Sequence, residues 1–355
     1  MPHSMPAAPF IARRALLQGL CLSLATLPVA ARAQAPAGVL RRDLAQGLYE
    51  VAYSPAQKAL FVAAIGGFRD GLGGEVLRLH PETLETQAAI ALPHKPFALA
   101  INHTTGMLYA GNTTERAITA IDTASNRVVG MLRLDSPENL RPRQIRIDEA
   151  SNTIFVGGVE IPSMVWIVDG ATLALRSTIR DTGNSATGLV FDPVSRHLFI
   201  GNNDAEIVVA DPAQARVLAR HTVGDGQKRF LVNLDIDPAA RRLYVAEANG
   251  QDVLVFDADS GRFGQRISTA RNPLAVLVDA PRNRVFVTNR GAGAVTIIDT
   301  ASGSLIRTVE LGFHPNSLAL DPQSGAVFVT VKKPMRENQP GYMAGALDTV
   351  VRIQL

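Results

Sequence analysis

Cysteine is almost missing from this sequence. The single one, Cys21, lies in a short apolar run, LLQGLCLSLATLPVA, which follows Arg13-Arg14 and precedes Ala31-Arg32-Ala33. A basic start, a short apolar stretch and an A-x-A ending are what a signal peptidase reads. Cleavage is expected after Ala33, which leaves a chain without thiols. Disulfides and the C-x-x-C-H attachment of a c-type haem are then excluded. The arginine pair fits a twin-arginine leader as well as a Sec leader, and both routes lead out of the cytoplasm. No second apolar run is long enough to span a bilayer. The expected location is the periplasm, with no membrane span once the leader is removed.

An excess of charge of one sign is missing as well. Residues 1–33 hold three arginines and no acid, so their removal leaves 32 Lys and Arg against 32 Asp and Glu. Net charge therefore gives no argument for a polyanionic partner; only a local patch could. Metal and nucleophile motifs are absent too. The six histidines beyond the leader, His80, His94, His103, His197, His221 and His314, form no H-x-H or H-x3-H pair. There is no G-x-S-x-G elbow and no phosphate-cradling glycine loop before a helix. No catalytic residue, metal ligand or cofactor is assigned.

What the sequence has is a repeat. LFVAA at 60–64, LYAGN at 108–112, IFVGG at 154–158, LFIGN at 198–202, LYVAE at 243–247, VFVTN at 285–289 and VFVTV at 327–331 are versions of one segment. Their aromatics are spaced by 48, 46, 44, 45, 42 and 42 residues, the period of propeller blades. Upstream of each lies an apolar stretch closed by a tight turn, such as SLALDPQS at 317–324. Downstream comes a strand that usually ends in Asp, such as AVTIIDTASG at 294–303, and then a fourth strand. No repeat holds a helix-length amphipathic run.

Four short strands that are apolar on both faces need neighbours to cover them, and radial stacking supplies these. The expected fold is all-β: a seven-bladed β-propeller of four-stranded antiparallel blades. Residues 1–33 would be the leader, 34–37 a linker and 38–355 the propeller. The repeated aromatics are assigned to the core between blades. The last copy stops after its third strand, TVVRIQL, so VLRRDLAQ at 39–46 is expected to supply the missing fourth strand and close the ring.

In such a ring, first strands begin and second strands end on the same face. The long segments, 66–74, 135–142, 224–231 and 332–348, all belong to connections on that face, whereas the opposite face has terse turns. Long loops on a rigid frame are where binding residues gather. Candidate ligand-binding residues at strand entries and ends there are Lys95, Arg143, Arg290, His314, Asn316, Lys332 and Lys333. Asparagines at such positions also cap strand ends, whereas turn geometry does not demand cations.

VFVTN and its Asp-ending third strand resemble the YVTN repeat. KPFALAIN at 95–102, NHTTGMLYAGNT at 102–113, TAIDTASNRVVG at 119–130, HPNSLALD at 314–321 and DTVVRIQL at 348–355 are similar to the YncE family of periplasmic seven-bladed propellers. That resemblance implies a non-enzymatic protein that binds single-stranded DNA. The face offers cations and aromatics for it, among them Phe68, Arg69, Phe97, Phe230, Phe313, Arg336 and Tyr342, but acids share the same loops. Two other roles stay open: an interaction scaffold for an envelope protein, and, by fold analogy, a lactonase-like hydrolase. A monomer is expected.

Overall fold

A computed structural model describes residues 38–67 and 73–355. The leader at 1–33, the linker at 34–37 and Phe68, Arg69 and Asp70 lie outside the described residues. Twenty-eight strands form seven four-stranded antiparallel sheets. Blades 1 to 6 are consecutive in sequence: 48–92, 98–133, 142–180, 188–222, 231–268 and 273–310. Blade 7 takes three strands from 314–353, and its outermost strand is Val39–Ala45, paired antiparallel with Asp348–Ile353. First strands of successive blades pack side by side around an axis, and the ring closes where Leu48–Ser54 meets His314–Leu320.

The seven repeated aromatics, Phe61, Tyr109, Phe155, Phe199, Tyr244, Phe286 and Phe328, are 2% exposed or less. Each belongs to an apolar cluster that bridges two neighbouring blades. Phe61 packs with Leu99 and Leu108 of blade 2, and Phe286 with Val327 and Val329 of blade 7. Seven such clusters run round the ring and together form the core. Their burial is the main favourable term for a fold that, among the described residues, has neither a disulfide nor packed α-helices.

The Asp that ends most third strands closes the following turn. Asp122, Asp169, Asp211, Asp257 and Asp299 each accept backbone N–H bonds from residues two or three positions on. In blade 1, His80 takes this part through Nδ1, which accepts from the Glu82 N–H at 3.2 Å. Asparagines at second-strand ends are internal caps: Asn112 accepts from Thr119 at 2.8 Å, and Asn289 donates to Thr296 at 2.8 Å. These local bonds fix where each strand stops, and so bring the long connections, including 333–347, to one face. Connections on the opposite face are six residues long at most.

Candidate functional site: a cationic rim around the central channel

On the long-loop face, the ring closure brings distant parts of the chain together at the channel mouth. Lys332 ends the second strand of blade 7, Asp348 begins the third, and Tyr49 lies on the first strand of blade 1. The Lys332 ammonium sits 3.0 Å from the centroid of the Tyr49 ring, although the residue is only 7% exposed. Asn316 and Thr330 hold the backbone that carries the ring: both donate to the Tyr49 carbonyl, at 3.4 and 2.6 Å. Asp348 accepts backbone N–H bonds from Lys333 at 2.6 Å and from Leu48 at 2.8 Å.

Electrostatics at this rim is dominated by positive charge. Burial, helped by Arg290 and Arg143, pushes the Lys332 ammonium down to about 7, against the pull of Asp348. Burial raises the Asp348 carboxyl in turn, opposed by its backbone bonds and Lys332. His314 is held below its ordinary value by burial, then by Arg290 and Lys332. The Tyr49 hydroxyl is raised by burial, with Arg143, Arg290 and Arg336 acting the other way. Arg143 reaches Glu50 at 3.5 Å, and Glu50 also accepts from the Ser317 hydroxyl at 2.6 Å. The exposed side chains of Arg290 and Arg336 make no hydrogen bond or ion pair among the described residues.

Four of the sequence candidates, Arg143, Arg290, His314 and Lys332, thus meet at one place, with Asn316 supporting them from beneath. Lys333 does not join them. Lys333 turns to Asp43 at 3.3 Å and lies 6.0 Å from the Phe313 ring, on the outer side of blade 7. Lys95 is 3% exposed, and its carbonyl accepts from Asn112. Arg336 and Asp348 complete the rim. Asp348 escapes sequence reading because its partner Leu48 is 300 residues away.

Several acids elsewhere on this face are already engaged. Glu160 pairs with Arg116 and Arg141, Glu247 with Arg229, Asp225 with Arg229 and Arg266, and Glu138 with Arg180. Several aromatics are engaged too: Phe97 is buried edge-on against Tyr49 at 4.7 Å, and Phe230 and Phe313 are half-buried in inter-blade clusters. Behind the rim, the central channel encloses about 430 Å³ between first strands. Among the described residues, no three of His, Cys, Asp or Glu group as a metal ion would need, and no helix is long and apolar enough to cross a membrane.

No family model matches the chain. Protein YncE of Escherichia coli K12 is 36% identical over 251 residues, which cover 69% of this chain and 71% of that protein. Its counterpart in Salmonella typhi is 37% identical over 252 residues, with the same coverage. Among solved structures, hydrazine synthase of Kuenenia stuttgartiensis superposes with a TM-score of 0.69 at 16% identity, covering 80% of this chain and 92% of that one, a likeness of fold alone. On that identity and coverage, and with seven four-stranded blades in a closed ring, the chain belongs to the YncE family of β-propellers.

Proposed function

We propose that this chain is a non-enzymatic binding protein, exported to the periplasm and acting as a monomer, whose channel mouth takes an extended anionic ligand of the single-stranded DNA kind. The observation that carries this reading is Arg290. Its guanidinium is exposed and without a side-chain partner among the described residues, and Lys332 and His314 lie close enough to feel its charge. Glu50 and Asp348 offset only part of the positive charge gathered at the rim, and an anion bound there relieves the remaining repulsion. Arg143 and Arg336 extend the patch, so a ligand with several spaced negative charges matches it better than a single ion. Few aromatics are free for base stacking, so phosphate contacts would supply most of the affinity.

The test is fluorescence anisotropy of a labelled single-stranded oligonucleotide with residues 34–355, over a salt series. Affinity should fall steeply with salt, and Arg290→Ser and Arg336→Ser should each reduce the slope of log K against log salt by about 0.7. Salt-independent affinity, or no binding near physiological ionic strength, would refute the proposal. A second reading, an envelope-protein platform, has one observation in its favour: the 333–347 loop exposes Met343 (54%) and Leu347 (40%). Pull-down from periplasm with and without that loop decides it, because a partner set independent of the loop removes that reading.

A further inference from the structure

The channel behind the rim holds an arginine and an aspartate that do not touch. Arg146, on the first strand of blade 3, and Asp235, on the first strand of blade 5, both line the cavity of about 430 Å³. Burial pushes the Asp235 carboxyl up, while the Arg146 guanidinium and two backbone N–H groups draw it back toward the ionised form, and the two side chains form no ion pair within 4 Å. Each is instead held by neutral groups. Asp235 accepts the N–H of Ile236 at 3.0 Å and of Val278 at 2.8 Å. Arg146 donates to the Ile145 carbonyl at 3.1 Å. The Gln144 amide, with its oxygen toward Arg146, accepts from both terminal guanidinium nitrogens at 2.7 and 2.9 Å. Its nitrogen then donates to the Thr187 carbonyl at 2.6 Å and to Asn233.

An arginine and an aspartate facing one narrow channel gain by closing on one another or by finding something to bridge them. Here the backbone and Gln144 hold them apart. Ala52, Ala100, Ala275, Leu277 and Leu318 line part of the wall and leave the space open, and the polar Glu50, Asn233 and Ser317 line it as well. The volume falls in the range of small-molecule sites, which combine an apolar lining with a few fixed polar groups. A guanidinium offers paired donors to a carboxylate, and a carboxylate offers acceptors to an ammonium.

From this geometry we infer that the channel is a binding site for a small zwitterion of the α-amino acid class, its carboxylate on Arg146 and its ammonium on Asp235. Glu50 lines this cavity and also pairs with Arg143 of the rim, but the inference does not rest on anion binding at the rim. Side-chain room is bounded by Ala100 and Ala275, and the His103–Glu149 pair (2.6 Å) stands at the short-turn end of the cavity.

The experiment is isothermal titration calorimetry of residues 34–355 with the standard α-amino acids, each compared with the amine lacking its carboxylate and the acid lacking its ammonium. At least one amino acid should bind, and both truncated analogues at least tenfold more weakly. Arg146→Met and Asp235→Asn should each weaken binding tenfold or more. Because either variant could perturb folding, Ala100→Leu provides a second route: it fills the channel, leaves both charges intact and should abolish binding at an unchanged circular dichroism spectrum. Arg290→Ser should leave amino acid binding unchanged, which separates this site from the rim. No binding by any amino acid, analogues as tight as the parent, or affinity unchanged in Arg146→Met and Ala100→Leu would each overturn the inference.

Discussion

Lys332 titrates near neutrality because burial and two guanidiniums together outweigh one carboxylate. The folded protein releases this proton at about 7, whereas an unfolded lysine keeps it to 10.5. Between those values the unfolded chain binds the extra proton, so the Lys332 contribution to stability rises with pH and is lost on acidification through 7. Anion binding runs the other way, since only the protonated ammonium attracts phosphate. Affinity for a single-stranded oligonucleotide should therefore rise several-fold as pH falls from 8 to 6.5. Lys332→Met keeps the stem against Tyr49, removes the charge and should flatten that profile. An anisotropy titration at fixed salt across this range checks it; an unaltered profile in the variant would transfer the effect to His314. The rim was legible in the sequence to the extent that strand entries and strand ends fall on one face. Whether a lysine there reaches solvent was not, because that depends on the neighbouring blade: Lys332 ends its strand on this face, yet it is only 7% exposed beneath the Tyr49 ring.

At the level of the turn, the repeat can be read almost residue by residue, and its departures carry energy. The fifth residue of each third-to-fourth-strand turn is left-handed: Leu84, Asn126, Leu173, Ala215, Gly261 and Gly303, with φ between 50° and 70°. Glycine suits this conformation, and asparagine tolerates it, whereas the Cβ of other residues approaches the following carbonyl oxygen at a cost of about 1–2 kcal/mol. Ala215 has little side chain to justify that cost, since Ala215→Gly removes a single methyl. Allowing for the greater unfolded-state freedom of glycine, Ala215→Gly should stabilise the protein by about 0.5–1 kcal/mol. Chemical denaturation should show a higher midpoint at an unchanged slope. Leu173 presents the opposite balance. Its side chain packs into the cluster around Ile154 and Trp166, and burying a leucine contributes about 1.5–3 kcal/mol. Packing exceeds strain at that position, so Leu173→Gly should destabilise. The sequence marks such turns by Asp, but which left-handed residue is tolerated depends on packing that the pattern does not encode.

For the ring as a whole, what matters is how its ends meet. Val39–Ala45 does more than complete blade 7. Val39 packs into the cluster shared by blades 6 and 7, and Leu44 and Ala45 pack against the one shared by blades 7 and 1. Arg41 donates to the carbonyls of Glu310 and Leu311 at 2.6 and 3.0 Å, while Arg42 donates to the Thr83 carbonyl of blade 1 at 3.2 Å. The strand therefore straps blade 6 to blade 1 across the closure. The exposed Arg42–Glu85 pair adds little to this, since such pairs contribute about 0–1 kcal/mol. Most of the strap's effect comes from six ladder pairs and from covering an edge that would otherwise stay open. Removing residues 38–46 should lower the thermal midpoint by on the order of 10 °C. The same deletion should loosen the rim, because Tyr49 and Lys332 come from the two blades that the closure joins. Oligonucleotide affinity should fall along with stability even though no rim residue has been removed. Calorimetry of residues 47–355 beside 34–355, with anisotropy on both, tests the coupling. A truncated chain that melts at the same temperature would show that inter-blade packing alone closes the ring; one that melts early but binds unchanged would show that the rim holds its shape without the strap.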